Sequence, residues 1–316
     1  MILLINAGAQ HIPYLISYFD GRRCNSFYIS DYKNAEDMIK ACINSLTIEN
    51  YNKFKIYVHN LANFDAVFLL KILVELGSVE PILNKGRLIS INFTGHVKQV
   101  DSIAKAKIVN KKGIIIDKLI LCSLTFYDSY QLLLASLRKL GVAFNVIEKK
   151  DIFPHLFLNN PDIPYDYVGP VPSIEYFINI TIDEYNEYCK RFPNNTWSLR
   201  EEAISYCELD CISLHQIIIK FSDLIYNKYS INITKFPTIT GLTFVIFRSH
   251  FLNIFTIPML SGKVFKEIKT LFTGGATDMY LPCNYDQKPI YCYDVNSLYP
   301  YIMQNEMMPI GKIVYF

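Results

Sequence analysis

The sequence has no long apolar run, no strong net charge and no closely paired cysteines, and each absence excludes a class of protein. No apolar run approaches the ~20 residues of a membrane-spanning helix, and the opening MILLINAGAQ lacks the basic start and length of a signal peptide. A formal net charge of +2 gives no global field that would attract nucleic acid, so DNA binding would need local patches. The eight cysteines contain no CxxC pair, and a chain this long needs no disulfide framework, which favours reduced thiols.

The composition is that of a globular protein. Hydrophobic residues make up 51% and charged residues 19% of the 316 residues, enough for a large core and two domains. The chain has 23 Tyr and 21 Phe but one Trp, and it is rich in Ile, Asn and Lys. This bias is typical of A+T-rich coding, as in many mitochondrial genomes.

Alternating apolar and aromatic runs predict strands over much of the first half. HIPYLISYFDG and RRCNSFYIS are separated by the turn Asp20-Gly21 and predict a hairpin. FKIYVHN predicts a buried strand, and FDAVFLLKILVELG predicts a helix that ends at Gly77. GRLISINF with GHVKQVDSI, and the two runs around residues 110–113, predict further strand pairs.

The second half begins with a loop-rich segment and continues into a long helix. LTFYDSYQLLLASLRKLG predicts a strand followed by a helix that ends at Gly141, and residues 154–193 predict a long connection with short elements. A long helix should begin at Ser198, which forms a capping-box pattern with Glu201. We therefore expect an α/β domain over residues 1–232, with a mixed sheet and flanking helices, and a second domain over residues 233–316.

Asp65 in the stretch HNLANFD lies where the predicted strand meets the predicted helix. A carboxylate at such an edge is held rigidly and has room for a ligand. The alternative is that Asp65 only caps the helix.

Tyr206 and Asp210 in the stretch YCELD lie one helical turn apart, so they share a helix face. The carboxylate could bind Mg²⁺ and the phenol could orient a water molecule against a phosphate. The alternative is an ordinary surface pair, and Glu208 should lie on another face in solvent. Two-metal hydrolysis needs several carboxylates, so Asp65 and Asp210 would need acidic partners from another strand.

Cys207, Cys211 and His215 form a stripe at i, i+4 and i+8 on the same helix. These residue types can bind zinc. Three ligands from one straight helix lie too far apart for a single tetrahedral ion, which favours a small, buried helix face.

The stretch YCYDVNSLYP predicts a strand that ends at Asp294 and a short helix capped by Ser297, with Pro300 in its first turn. Backbone groups of residues 295–296 would lie beside the carboxylate. This arrangement suits a nucleoside triphosphate, with Asp294 holding Mg²⁺ and Tyr299 under the sugar. The alternative is a strand–turn–helix unit that merely contains an acid.

Together these stretches resemble the family B DNA polymerases, specifically the protein-primed branch of bacteriophages and mitochondrial linear plasmids. DVNSLYP resembles polymerase motif A, HNLANFD the second exonuclease motif and YCELD the third. FTGGATDMYLP resembles the aromatic-x-Gly-Gly motif, with Phe272 in place of tyrosine, and ASLRKL resembles the Ser-Leu motif that grips single-stranded DNA. The motifs occur in the family's order and cover nearly the whole chain.

For the first domain, the resemblance implies a ribonuclease H-like 3′–5′ exonuclease fold. Asp65 and Asp210 would be catalytic ligands of Mg²⁺ or Mn²⁺, and Tyr206 would position the attacking water molecule. The residues that would bind single-stranded DNA are Asn60, Phe64, Ser136 and Leu137.

For the second domain, the resemblance implies the first part of a polymerase palm. Asp294 would be a catalytic metal ligand, and Tyr299 would exclude the ribose 2′-hydroxyl. The other implied contacts are Val295 and Leu298 with the nucleotide, and Gly274 and Gly275 with the template strand. The implied partners are DNA, deoxynucleoside triphosphates and a terminal priming protein, with no membrane. The plasmid-like branch and the composition together lead us to expect a mitochondrial location.

The chain also departs from the family pattern. The first exonuclease motif, Asp-x-Glu, would fall within MILLINAGAQ, which has no acid, and the later polymerase motifs are absent before Phe316. We therefore expect an N-terminal polymerase fragment that is inactive in polymerisation and impaired in proofreading. Three alternatives stay open: a non-catalytic single-stranded DNA-binding remnant that uses SLRKL and NKKG, a polymerase completed in trans by a second chain, and a degenerate reading frame with exposed apolar surface over residues 240–316.

Overall fold

The structure is a computed structural model that describes most of the chain as two compact units. The described residues are 2–7, 10–99, 102–103, 105–109, 115–146, 152–252, 261–270 and 282–307. The units comprise Met1–Phe251 and Leu252–Phe316. The unit boundary therefore lies nearer the C-terminus than the expected division at 232/233, which stays a prediction.

The strands of the first unit form two main sheets. The strands are β1 Ile2–Ala7, β2 Gln10–Phe19, β3 Cys24–Tyr28, β4 Lys55–Val58, β5 Gly77–Asn84, β6 Arg87–His96, β7 Lys98–Gln99, β8 Ser102–Ile103, β9 Lys105–Val109, β10 Ile115–Leu119, β11 Leu121–Asp128, β12 Val168–Gly169 and β13 Trp197–Ser198. One sheet has the order β1-β2-β3, and the other has the order β4-β11-β6-β5. In the second sheet β4 runs parallel to β11, whereas β11 with β6 and β6 with β5 are antiparallel. The expected mixed sheet is confirmed.

Helices flank these sheets, as the sequence predicts. They are α1 Ala35–Leu46, α2 Asp65–Leu76, α3 Leu137–Ala143, α4 Ile182–Cys189, α5 Leu199–Tyr229 and α6 Ile239–Ile246 in the first unit, and α7 Gly262–Thr270 and α8 Leu298–Asn305 in the second. A π-helical turn, Phe247–Phe251, directly follows α6. The described helices include none that is long and apolar enough to cross a membrane.

Two large apolar cores position the helices of the first unit that carry candidate acids. In the first core, α1 and α2 pack on the β4-β11-β6-β5 sheet through residues at helical spacing, and Ile91 and Phe93 of β6 are fully covered. The second core is rich in aromatic rings and lies against the first half of α5. At its centre Trp197 is buried and donates its indole N–H to the Tyr188 hydroxyl over 2.8 Å. These two cores fix α2 and α5, the two helices that carry the candidate acids.

Most of the predicted turns and helix starts are confirmed. The Asp20 carboxylate accepts the N–H groups of Arg22 and Arg23 over 2.9 and 2.8 Å, which makes the hairpin turn between β2 and β3. Ser198 is the N-cap residue of α5 and accepts the Glu201 N–H over 3.4 Å, which is the first of the two capping-box bonds. The complete box occurs at the start of α4.

Two further predictions are confirmed. The predicted hairpin around residues 110–113 is present as the β9–β10 pair, with the turn itself outside the described residues. The long connection between the helix-rich regions contains short elements only, of which α4 is the longest.

The strand β5 is a correction to the sequence-based prediction. The helix α2 ends at Leu76 as predicted, but Gly77 starts a strand instead of a loop. The stretch predicted as a pair, residues 86–103, is mainly the single strand β6, whose partners are β5 and β11. A Cβ atom added at Gly77 would clash with the Thr94 carbonyl oxygen, so the close pairing of β5 and β6 requires glycine there.

The second unit contains two corrections. Residues 289–294 form no strand in the described part of this unit, although one was predicted to end at Asp294. Helix α8 begins at Leu298 as predicted, but Ser297 adopts the left-handed conformation with φ of 57° and makes no side-chain cap bond. A side chain in that conformation does not direct its hydroxyl towards the N–H groups of the first turn, as an extended N-cap residue does.

Candidate functional site

A cleft of about 850 Å³ in the first unit brings together seven of the predicted site residues. It is lined by residues from β2, from the segment that joins β4 to α2, from the start of α3 and from α5. The predicted site residues that line it are Asn60, Phe64, Asp65, Ser136, Leu137, Tyr206 and Asp210. These positions span 150 residues of sequence, so only the tertiary fold brings them to one place.

Asp65 is the first residue of α2 and is 8% exposed. Its Oδ1 accepts the backbone N–H of Ile2 in β1 over 3.0 Å. Burial raises the pKa of the Asp65 carboxyl, and the Ile2 N–H partly opposes that rise. The alternative in which Asp65 only caps the helix is wrong, because Phe64 occupies the N-cap position.

Tyr206 and Asp210 lie one turn apart on α5, and each is 3% exposed. The Tyr206 ring packs against the rings of Phe153 and His155, with centroid distances of 5.3 and 5.1 Å. The surface-pair alternative is therefore wrong for these two residues. Glu208 is also a correction, since it accepts a hydrogen bond from the Ser26 hydroxyl over 2.6 Å instead of facing only solvent.

The segment that carries Asn60 and Phe64 is held by a buried residue that sequence reasoning missed. Asp128, at the end of β11, is fully buried and accepts the N–H groups of Asn60, Ala62 and Tyr130 over 2.9, 3.3 and 3.0 Å. Asn60 adopts the left-handed conformation, and Phe64 is 55% exposed at the cleft. Asp128 therefore shapes the turn that presents a polar amide and an exposed aromatic ring together.

His59 connects the same turn to the start of α3. Its Nε2 donates to the Ala135 carbonyl over 3.1 Å, and its Nδ1 lies 3.1 Å from the Ser129 hydroxyl. Ser136 is the N-cap residue of α3 and accepts the Lys139 N–H over 3.4 Å. These bonds fix Ser136 and the neighbouring Leu137 beside the turn. The only sequence signal for Asp128 and Ser129 was an Asp-Ser pair at the end of a predicted strand.

A known family matches most of this chain. The family described as DNA polymerase type B, organellar and viral, matches residues 45–316. The chain belongs to this family.

Fungal relatives agree with this type B polymerase assignment. A protein of Ascobolus immersus named "Probable DNA polymerase" is 38% identical over 306 residues, a match that covers 95% of this chain and 24% of the relative. A protein of Neurospora intermedia with the same name is 36% identical over 304 residues, covering 95% of this chain and 29% of the relative. The chain thus spans between a quarter and three tenths of the length of these relatives.

The type B polymerase chain is also similar to a solved structure. "Phi29 DNA polymerase complexed with single-stranded DNA" matches 87% of this chain and 39% of its own chain, at 18% identity and a TM-score of 0.42. A similarity of this degree transfers no residue role.

The acids of the cleft suit a hard metal ion but form no large cluster. Carboxylate oxygens are the protein ligands that Mg²⁺ and Mn²⁺ prefer, and Asp65 and Asp210 both line the cleft. Among the described residues, no three or more His, Cys, Asp or Glu side chains are grouped as a metal site. Asp65 and Asp210 are the residues of the cleft that would hold such an ion.

The cysteine stripe on α5 is divided between the core and the cleft. Cys207 is buried in the aromatic core, whereas Cys211 and His215 line the cleft. The Cys211 Sγ donates to the Ser17 carbonyl over 3.4 Å, and the His215 ring packs edge-on against Phe19 with centroids 5.1 Å apart.

The predicted polymerase residues of this type B chain lie in the second unit. Asp294, Val295, Leu298 and Tyr299 are exposed around the start of α8. Gly274 and Gly275 lie outside the described residues. In the described part of this unit, the residues around Asp294 are extended or turn segments that precede a short helix.

Proposed function

We propose that the cleft of the first unit binds the unpaired 3′ end of a DNA strand and serves as the 3′–5′ exonuclease site of a protein-primed family B DNA polymerase. In this proposal the first unit has the ribonuclease H-like exonuclease fold. The observation that carries it is that all seven exonuclease and single-strand residues predicted from separate motifs line the same cleft.

The side chains have the chemistry that this role needs. Phe64 can stack on a base because it is exposed at the cleft, and Asn60 beside it offers an amide to a base edge. Asp65 and Asp210 would hold Mg²⁺ or Mn²⁺, and the bound ion would polarise the phosphate. Tyr206 would orient the attacking water molecule.

In the same proposal the second unit supplies the first part of the polymerase site. Asp294 would bind a catalytic metal ion for nucleotidyl transfer, with Val295 and Leu298 near the triphosphate of a deoxynucleotide and Tyr299 against its sugar. Gly274 and Gly275 would lie close to the template strand. The whole protein would replicate DNA from a terminal priming protein, and we propose a mitochondrial location from the composition and the plasmid-like branch.

A second candidate function is single-strand binding without hydrolysis. It is favoured by the acids of the cleft, because two-metal hydrolysis needs several converging carboxylates, whereas among the described residues no three potential ligands are grouped as a metal site. The third acid of the cleft, Asp20, accepts hydrogen bonds within its own turn and from the Tyr51 hydroxyl. Both candidates require strand binding and differ only in turnover.

The test measures binding and degradation of a labelled single-stranded oligonucleotide with Mg²⁺ or Mn²⁺. The variants are Asp65→Ala/Asp210→Ala for hydrolysis and Phe64→Ala for binding, with Asp223→Ala on the exposed side of α5 as the matched control. Degradation that only the double variant abolishes would support the exonuclease. Binding without degradation would support the second candidate. Equal affinity of the wild-type chain and Phe64→Ala would contradict the cleft as the binding site.

A further inference from the structure

A second exposed surface lies at the C-terminal end of the first unit, away from the residues that line the cleft. We define the aromatic–cation surface by six residues: Lys228, Tyr229, Phe244, Phe247, Arg248 and Phe251. Tyr229 ends α5, and its ring packs against those of His250 and Phe251 with centroid distances of 5.3 and 6.5 Å. These ring contacts join the end of α5 to the π-helical turn after α6, so the six residues belong to one folded surface.

Three phenylalanines of this surface project away from the core. Phe244, Phe247 and Phe251 recur at intervals of three and four residues and are 56%, 40% and 61% exposed. The opposite side of the same segment is apolar too, and it packs in a core cluster around the fully buried Leu242. One apolar face is therefore sufficient for folding, and the exposed rings need another explanation.

The cations of this surface lie over aromatic rings. The Arg248 guanidinium is 5.7 Å from the centre of the Phe244 ring, and the Lys228 Nζ is 5.4 Å from the centre of the Tyr229 ring. Among the residues that the structure describes, neither cation forms an ion pair, whereas Arg138, Arg191 and Arg200 all do. Their charges are therefore available to an outside anion.

The charge of the surrounding segment favours an anionic partner. Residues 215–252 contain four Lys or Arg and one Asp, although the whole chain is balanced at 31 basic and 29 acidic residues. A partner that presents both phosphates and flat apolar rings matches exposed phenylalanines beside free cations. Single-stranded nucleic acid has both features, whereas the bases of a duplex are stacked on each other and not open to the rings.

We propose that the aromatic–cation surface is a second binding site for single-stranded DNA, which holds the strand whose end lies in the cleft. It rests on the proposed function in that the cleft binds the same strand. Asp210 of the cleft and Tyr229 of the surface lie 19 residues apart on the unbroken helix α5, so ~28 Å of helix axis separates them. A short oligonucleotide whose end lies in the cleft does not reach the aromatic–cation surface, whereas a longer one reaches both sites.

The test compares affinities for labelled single strands of about 5 and about 25 nucleotides at several salt concentrations. The first length lies near the lower end of the usual site size of a single-strand-binding fold, and the second exceeds its upper end. Log affinity falls as log salt rises, and each phosphate contact contributes about 0.7 to the steepness of that fall for a single strand. Lys228→Gln/Arg248→Gln should therefore make the fall less steep by about 1.4 for the long strand. Phe244→Ser/Phe251→Ser should weaken long-strand binding by about tenfold or more. Both double variants should bind the short strand as the wild-type chain does.

Matched controls separate the surface from general effects of charge and apolarity. Lys33→Gln/Lys85→Gln removes two exposed cations elsewhere, and Val74→Ser removes an exposed apolar side chain on α2. Both should leave affinity and slope unchanged. Because all the substituted side chains are exposed, circular dichroism should show unchanged folding, and the charge variants remain informative if a phenylalanine variant misfolds.

The outcomes separate this proposal from the proposed function. Long-strand binding that survives Phe64→Ala but is lost in the surface variants supports the second site even if the cleft fails. If the wild-type chain and the surface variants have equal long-strand affinity and equal salt dependence, the second DNA-binding site is wrong. Reduced self-association of the phenylalanine variant would then assign the surface to protein–protein contacts.

Discussion

Replacing Asp128 by asparagine should weaken both the fold and the cleft. The carboxylate is fully buried and accepts three backbone N–H groups, two through Oδ1 and one through Oδ2. Asparagine has nearly the same shape, but its amide nitrogen would face an N–H donor, whichever way the amide is turned. The substitution therefore tests hydrogen bonding with little change in packing.

The magnitude follows from these three bonds. A hydrogen bond to a buried charged group contributes about 1.5–3 kcal/mol, and a neutral bond about 1 kcal/mol. Losing the Ala62 bond and weakening the other two should lower the free energy of unfolding by about 3 kcal/mol. That is a large part of the ~5–15 kcal/mol available to a typical domain. Strand affinity should fall as well, because the turn that carries Asn60 and Phe64 loses its anchor.

Urea unfolding and fluorescence anisotropy with a labelled single strand measure the two effects. Asp162→Asn, at an exposed position, is the matched control and should change neither quantity. A variant at Asp128 with wild-type unfolding free energy and wild-type affinity would refute the role of these bonds. Lost stability with unchanged affinity would show that the turn does not contact the strand.

Three further changes test the fold. Gly77→Ala should lower the free energy of unfolding by about 1–3 kcal/mol, because the new side chain clashes with the neighbouring strand. Gly141→Ala, which places the side chain in open space on a helix, should leave that free energy unchanged or raise it by about 0.5–1 kcal/mol. Equal thermal unfolding midpoints for the two variants would contradict this contrast. Hydrogen bonds lower the pKa of Asp20 to about 2, so the stability that the ionised carboxylate gives the fold should be lost as the pH falls from about 4 to about 2. Asp20→Asn should remove this part of the pH dependence of unfolding. An acid-unfolding curve identical to that of the wild-type chain would contradict this prediction. Trp197→Phe should lower the free energy of chemical unfolding by about 2–4 kcal/mol, through a cavity and the loss of the indole bond to the Tyr188 hydroxyl, which keeps its bond to Glu202; a loss below about 1 kcal/mol would mean that the core repacks around the smaller ring.

Local sequence patterns singled out three of the predicted residues that line the cleft, and the resemblance to the polymerase family implied the other four. Asp65 was found because a buried strand meets an amphipathic helix there, and Asp210 because a long helix carries it one turn from Tyr206. Each signal is contained within about ten residues of sequence. The family's motif order then indicated that these separate segments meet, and the cleft is where they do so.

What the sequence could not predict depends on contacts between distant segments. The Asp128 carboxylate accepts backbone N–H groups from a turn more than 60 residues earlier in the chain, and no local sequence pattern marks such a contact. The strand β5 contains Pro81 and exposed side chains, so it lacks the apolar alternation that identifies a strand. Its strand character comes from pairing with β6. Ser297 has a residue type that often caps helices, but its left-handed backbone conformation leaves α8 without a side-chain cap bond.

The edge position of β5 also has a consequence for contacts between molecules. β5 is the last strand at one edge of its sheet, where an open row of N–H and C=O groups could pair with a second molecule. Pro81 has no N–H to donate, and the register between β5 and β6 shifts between Ile82 and Leu83. Both features interrupt the regular donor row, so this edge is a poor template for intermolecular sheet growth although two apolar side chains are exposed on it.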